Sequence, residues 1–255
     1  MSSLKNTIDD FLRDNPGRDT FKIEHNGEYF WVKKGRETGS NLLQKTAYAI
    51  SKNPLLIPVS RKSKKETLDY EVAKLERLYS QNISVPEVAY AADNYFVMKD
   101  RGDPVYYGLK KRLILDSENI ISKCLDLLCS LHGIGEFHGG SQLKNFVLTA
   151  NGDVSMLDFE ESFSEDVDIK TLFYRDLFLF LFSLAKTGIE IDYKTVMERY
   201  IDATGNEYVR ERLVKLAGSG SFVMKILENS LLWRIADNDT KSVYKLLKSL
   251  KKSSI

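Results

Sequence analysis

His138-Gly139-Gly140-Ser141-Gln142-Leu143-Lys144-Asn145, with Leu157-Asp158-Phe159 a short way downstream, is the stretch on which the reading of this chain turns. Between the two, Phe146-Val147-Leu148 and Val154-Ser155-Met156-Leu157 flank Asn151-Gly152. Short β-rich runs around an Asn-Gly pair predict a hairpin, because glycine accepts the positive φ that a tight turn needs. Asn145 and Asp158 stand thirteen residues apart. That spacing fits strand, turn and strand, and returns both side chains to the same end of the hairpin. An amide oxygen and a carboxylate brought together in this way suit a hard divalent cation.

Upstream, β-rich and helical segments alternate. Leu4, Ile8, Phe11 and Leu12 predict a short amphipathic helix ended by Asn15-Pro16-Gly17. Phe21 to Glu24 and Tyr29 to Lys33 flank His25-Asn26-Gly27, a second hairpin signal. Residues 40–59 read as a short helix and a loop punctuated by Pro54 and Pro58. The basic run Arg61-Lys62-Ser63-Lys64-Lys65 then leads into a helix from Thr67 to Leu78, whose apolar positions recur with helical period. Glu87 to Tyr90 and Tyr95 to Met98 read as two more strands of the same small sheet. From Asp116 onward helices dominate: Ile120 to Leu131, Thr171 to Leu184, Tyr193 to Ile201 and Thr240 to Lys251, with Asn145 to Phe159 as the lone β interruption. The expectation is an α+β fold in two lobes. Residues 1–102 form a lobe with a small antiparallel β-sheet, and residues 103–255 form a larger helical lobe that carries the loop and its hairpin.

Phosphoryl transfer from a nucleotide needs a cation on the phosphates, a divalent metal to spread their charge, oxygens to hold that metal, and a group to position the attacking hydroxyl. Asn145 and Asp158 answer the call for oxygens. Lys33 and Lys34 compete for the cation, since strand alternation sends them to opposite faces. Lys33 shares its face with Trp31 at the end of the apolar run and is preferred, with Lys34 as a solvated surface cation. Glu71, on the helix after the basic run, either holds the Lys33 ammonium by a charge-assisted hydrogen bond or is one of several exposed charges on that helix.

These parts, in this chain order, resemble the protein-kinase-like superfamily, and more narrowly the bacterial lipopolysaccharide core kinases that act on heptose and Kdo, with Rio-type kinases as distant relatives. Gly27 to Lys33 resembles their lysine strand, Leu68 to Val85 their glutamate helix, and Arg175-Asp176-Leu177 the aspartate motif that braces the catalytic loop. The resemblance spans roughly residues 20–185 and implies a two-lobed protein-kinase-like fold that binds ATP and Mg²⁺. It implies that Lys33 holds phosphates, Glu71 orients Lys33, Asn145 and Asp158 bind the metal, Asp176 braces the loop and Phe159 packs. His138 heads the loop, with packing and proton transfer both open to it. Three departures stand out: Gly140 occupies the position of the catalytic-loop aspartate, Glu160 follows Asp158-Phe159 where a glycine belongs, and no glycine-rich phosphate loop surrounds His25 to Gly27. His138, Asp153, Glu160 and Glu161 are the candidates for a displaced acid or base. The function implied is phosphoryl transfer to a hydroxyl of a sugar or glycolipid. The alternatives are a pseudokinase that works as a nucleotide-binding regulatory or interaction module, and a Rio-like protein serine kinase.

Bulk composition narrows the partners. With 255 residues and 43% hydrophobic content the chain buries a sizeable core. A net charge of +1 gives no global attraction to nucleic acid, so an anionic partner has to be recruited by a local patch. Cys124 and Cys129, the two cysteines, fall in a helical pattern and predict free thiols, in keeping with a cytoplasmic location. His25 and His132 show no partner pattern. Lys241 to Lys252 predicts a basic amphipathic helix whose apolar face (Val243, Leu246, Leu247, Leu250) docks on the helical lobe or, in the alternative, makes peripheral contact with the inner-membrane surface.

Overall fold

The first hairpin closes on Asn26 and Gly27, which both take positive φ, +53° and +80°, as a two-residue turn matched to strand twist requires. In this computed structural model, which describes residues 2–15, 17–219 and 238–252, β1 (Thr20–His25) pairs with β2 (Glu28–Lys34), β2 with β4 (Tyr95–Lys99), and β4 with β3 (Val88–Ala91). All three pairings are antiparallel, and the strand order is β1-β2-β4-β3. Pro16, part of the predicted helix terminator, lies outside the described residues.

Strand alternation divides the sheet into two faces. Phe21, Ile23, Phe30, Val32, Tyr95 and Val97 form one core with Ile8 of α1 (Ser2–Asp14). Residues of the other parity, Trp31 and Lys33 with Met98 and Phe96 across from them, point the other way. From that face Lys33 meets α3 (Lys64–Ser80), which packs on β3 and β4. A capping box starts α3: Ser63 accepts from the Glu66 amide and Glu66 accepts from the Ser63 amide. Thr67, Leu68, Glu71, Lys74, Leu75 and Leu78 make its buried face, at helical spacing. Gly35 lets the end of β2 lie against the start of α3, since a Cβ there would fall 2.2 Å from the Lys64 carbonyl oxygen.

By internal contacts the chain divides into two units, Met1–Gly102 with Ser155–Ser164, and Asp103–Val154 with Glu165–Ile255. The sheet, α1, α2 (Leu42–Ser51) and α3 belong to the first. The stretch around Asp158, predicted with the helical part, joins it, because the Met156 amide and the Ser155 hydroxyl both donate to the Ser84 carbonyl, at 2.9 and 3.0 Å.

The second unit is mostly helical: α4 (Val105–Lys110), α5 (Ser117–Gly133), α6 (Ile169–Ala185), α7 (Tyr193–Thr204), α8 (Glu207–Ser219) and α9 (Asn238–Lys252). α6 is apolar almost all round and buries eleven of its residues, as a central helix does. From Asp116 onward the strands among the described residues are β6 (Phe146–Leu148) and β7 (Val154–Met156), within the expected interruption, and the unpredicted two-residue β5 (Asp103–Pro104), which precedes that stretch, pairs with β6. α4 and α8 are additions to the predicted helices. α4 is too short to display a period, and the buried stripe Val209, Leu213, Ala217 of α8 is diluted by charged neighbours. α9 buries Leu246, Leu247 and Leu250 and packs on α6, α7 and α8, so its apolar face is occupied within the unit. Among the described residues no helix is long and apolar enough to cross a membrane. Cys124 and Cys129 are free and buried, and burial pushes the Cys129 thiol up to about 12, so it is not a thiolate at neutral pH.

Candidate active site

In the first unit, three parts of the chain meet around one ammonium group. Lys33 Nζ donates to Glu71 at 2.8 Å and to Asp158 Oδ1 at 2.5 Å, and lies 3.3 Å from Glu160 Oε2. Strand β2 supplies the lysine, α3 the glutamate, and the segment after β7 the other two carboxylates. Lys33 is 8% exposed and Glu71 2%. Burial by itself would push the Lys33 ammonium down, but Glu71 and Asp158 reverse that and hold it above the ordinary lysine range. Burial also lifts the Glu71 carboxyl above its usual range, with Lys33 drawing part of the shift back. Lys34 lies on the opposite face of β2.

Arg36 and Glu160 extend the cluster. Arg36 Nε donates to Glu160 Oε2 at 2.7 Å while Nη2 bonds the other oxygen, a bidentate pairing, and Nη2 stands 3.9 Å from Asp158 Oδ2. Sequence reasoning did not single out Arg36, and treated Glu160 as a replaced glycine and as one of four candidates for a displaced acid or base. A pairing across 124 residues leaves no local periodicity to find.

Asp158 sits at φ +68°, in the left-handed region. Aspartate tolerates this better than most residues, and non-glycine residues held there gather at functional sites. Carboxylate oxygens of Glu71, Asp158 and Glu160 lie within 4.8 Å of one another. Three hard oxygen donors against two cations leave a surplus of one negative charge, and Asp158 is the most exposed of the three. This donor set fits Mg²⁺. Phe159 is fully buried, with Lys74 Nζ 5.6 Å from its ring centroid.

The second unit builds the loop quoted at the outset. Asp176, on α6 and fully buried, accepts from the amides of His138 at 2.6 Å and Gly139 at 2.9 Å, and its own carbonyl accepts from the Ser141 hydroxyl at 2.5 Å. Burial alone would raise its carboxyl, but bonding and charge from His132 and His138 hold it below the usual range. Gly139 turns at φ +94°, which favours glycine. Asn145 Nδ2 donates to the Gly140 carbonyl at 2.8 Å, so its amide is oriented and the oxygen is the atom left for a cation. His138 is fully buried, its ring stacked on Phe146 and its Nδ1 accepting from the Gly140 amide at 3.3 Å. Asp153 is exposed in the hairpin turn, where it accepts from Asn151 at 2.9 Å.

His132 corrects the expectation of no partner. Its Nδ1 meets the Tyr200 hydroxyl at 2.6 Å and its Nε2 meets Asp176 at 3.3 Å, and burial pushes the imidazole below its ordinary range. The signal was available: His132 continues the buried stripe Leu125, Leu128 on α5. His25 also has a contact, with the Thr7 hydroxyl at 3.4 Å.

No protein-family model matches the chain. An uncharacterized protein of Haemophilus influenzae is 28% identical over 169 residues, which cover 65% of this chain and 62% of that protein, so the match spans less than two thirds of the relative's length. Among solved structures, the MAP kinase LmaMPK10 from Leishmania major is similar with a TM-score of 0.43 and 12% identity, covering 100% of this chain and 84% of that one.

Proposed function

We propose that this chain is an ATP- and Mg²⁺-dependent phosphotransferase that moves the γ-phosphoryl group to a hydroxyl of a sugar or glycolipid, as the lipopolysaccharide core kinases it resembles do. The observation that carries the reading is the meeting of Lys33, Glu71 and Asp158 around one ammonium. Motif order assigns these residues the roles of phosphate cation, its orienter and a metal ligand. Lys33 donates to phosphate oxygens, and Glu71 keeps it aimed, so binding needs little reorganisation. Asp158 would hold Mg²⁺, which when bound would neutralise charge on the transferred group, and the resemblance implies the Asn145 side chain as a further ligand. Gly140 offers the attacking hydroxyl no side-chain proton acceptor. In a loose transition state positioning and charge neutralisation supply most of the acceleration, so transfer is slowed rather than abolished. Asp158→Asn tests this best, because asparagine tolerates positive φ and changes only the charge. ATP turnover should fall by about 10²-fold or more, a loss of the size seen when one preorganised stabilising group is removed, and turnover at the wild-type rate would remove the assignment.

Gly140 also favours a second reading, a nucleotide-binding regulatory module without transfer. Mg-ATP then raises the melting temperature, since a ligand of the folded state stabilises it, while no hydroxyl acceptor, sugar, lipid or protein, yields ADP.

A further inference from the structure

α2 holds no buried residue, yet it carries three of the most exposed large apolar side chains among the described residues: Leu42 is 80% exposed, Leu43 79% and Ile50 81%. Leu42 and Ala49, like Leu43 and Ile50, stand seven residues apart, which puts them with Thr46 on one side of the helix, all exposed. Half-buried Gln44, Ala47 and Tyr48 fall on the other side, and the helix packs on the short turn Pro54–Leu56. Its ends are set locally: Asn41 accepts from the Gln44 amide at 2.8 Å, and the Lys52 amide donates to the Tyr48 carbonyl at 2.8 Å. At the base of this excursion the Ser40 amide donates to the Val59 carbonyl, and Thr38 and Lys62 exchange two backbone bonds. A lone exposed leucine is ordinary, whereas a helix face of them marks an interaction surface.

Charge selects what covers this face. From Thr38 to Lys65 the sequence has no acidic residue and six basic ones, in a chain whose net charge is +1. Two of the six are engaged elsewhere: Lys65 pairs with Asp69 and Asp93, and Lys62 bonds Ser162 and lies over the Tyr70 ring. Lys45 and Lys52 border the apolar face on α2 itself and are exposed, with Lys52 Nζ 5.7 Å from the Tyr48 ring. Arg61, also exposed, backs onto Gly39 at the base of the excursion, where a Cβ on the glycine would fall 3.2 Å from the Arg61 Cα. We infer that α2 lies in the surface of a bilayer that contains anionic lipid, with Leu42, Leu43 and Ile50 below the headgroups and Lys45 and Lys52 at the phosphates. A second copy of this chain fits less well, because a two-fold contact would set the lysines that border the face against themselves. The bilayer contact goes beyond the proposed transfer and does not rest on it; only the further step, that the bilayer presents a lipid-borne acceptor, does.

Co-sedimentation of the full chain with vesicles of phosphatidylcholine, and of phosphatidylcholine mixed with phosphatidylglycerol, tests this. The mixed vesicles should bind the chain and release it as salt rises, and pure phosphatidylcholine should bind it at least about tenfold less. Lys45→Gln should weaken binding to the mixed vesicles about fivefold. The double substitution Leu43→Asp/Ile50→Asp, at exposed positions, should weaken it at least about tenfold. Should the double variant fail to fold, Ile50→Ser alone is read in its place and is expected to weaken binding severalfold. No binding to the mixed vesicles, equal binding to the neutral ones, or wild-type binding in the folded variants overturns the inference. So does a dimer in sedimentation velocity that Ile50→Ser breaks into monomers, since the face then belongs to a second copy. The thermal shift with Mg-ATP is read in parallel. A chain that binds mixed vesicles without that shift keeps the bilayer surface and loses the nucleotide reading, and the opposite result loses the surface alone.

Discussion

Lys33 brings one positive charge to a place where Glu71, Asp158 and Glu160 converge, and its removal exposes their mutual repulsion. Breaking a buried pair by deleting one partner costs about 3–5 kcal/mol, so Lys33→Met should lower the urea midpoint by a corresponding amount. Millimolar Mg²⁺ should restore part of that loss, because the remaining carboxylates then prefer a divalent cation; no metal effect would show that they do not act as one site. Asp158 adds a backbone argument. At φ +68° alanine is strained where asparagine is not, so Asp158→Ala should unfold at lower urea than Asp158→Asn, by about 1 kcal/mol. Lys33, Glu71 and Asp158 were legible in the sequence because each sits at a recognisable place on its own element. Arg36 and Glu160 were not, since what unites them is tertiary proximity, and for His132 the helical stripe marks burial but not its partners.

The start of α3 sets how Glu71 meets the sheet. Ser63→Ala removes half of a capping box and should cost about 1 kcal/mol of stability, read as a lower melting temperature. Gly35→Ala should cost more, because its methyl group would fall on the Lys64 carbonyl and force α3 away from β2. The same substitution should weaken Mg-ATP binding by moving Glu71 off Lys33, whereas Ser63→Ala should leave binding near wild type. At this scale the sequence was most readable where turn chemistry and periodicity agree. Both Asn-Gly turns, the four strands of the sheet and the long helices follow from them. The two-residue β5 and the six-residue α4 lie below the length at which a pattern exists, and the burial of α8 shows through only three residues among charges.

Across the whole molecule, two internally coherent units each carry part of the proposed chemistry, the cation and carboxylates in one and the braced loop in the other. The brace makes stability depend on pH in a defined direction. Burial depresses the His132 imidazole below its ordinary 6.5, so the unfolded chain binds a proton there more readily than the folded one. Stability should therefore be level with respect to this group above about pH 6.5 and fall as pH drops below it. His132→Gln should be less stable at pH 7 and lose that part of the slope. The sheet with its helix and the helical remainder were expected as an α+β arrangement. The return of Ser155–Ser164 to the first unit was not, because hydrogen bonds to the Ser84 carbonyl decide it and have no local sequence signature. Nucleotide binding at Lys33 and Asp158 is the property on which the proposed transfer depends. Titrating the wild-type chain and Asp158→Asn with ATP, with and without Mg²⁺, in a thermal-shift experiment measures this directly. The wild type should be stabilised only when both are present, by about 2.7 kcal/mol at a hundredfold excess over Kd, and Asp158→Asn should lose most of that. A shift that is absent, indifferent to Mg²⁺, or equal in the two proteins would contradict it.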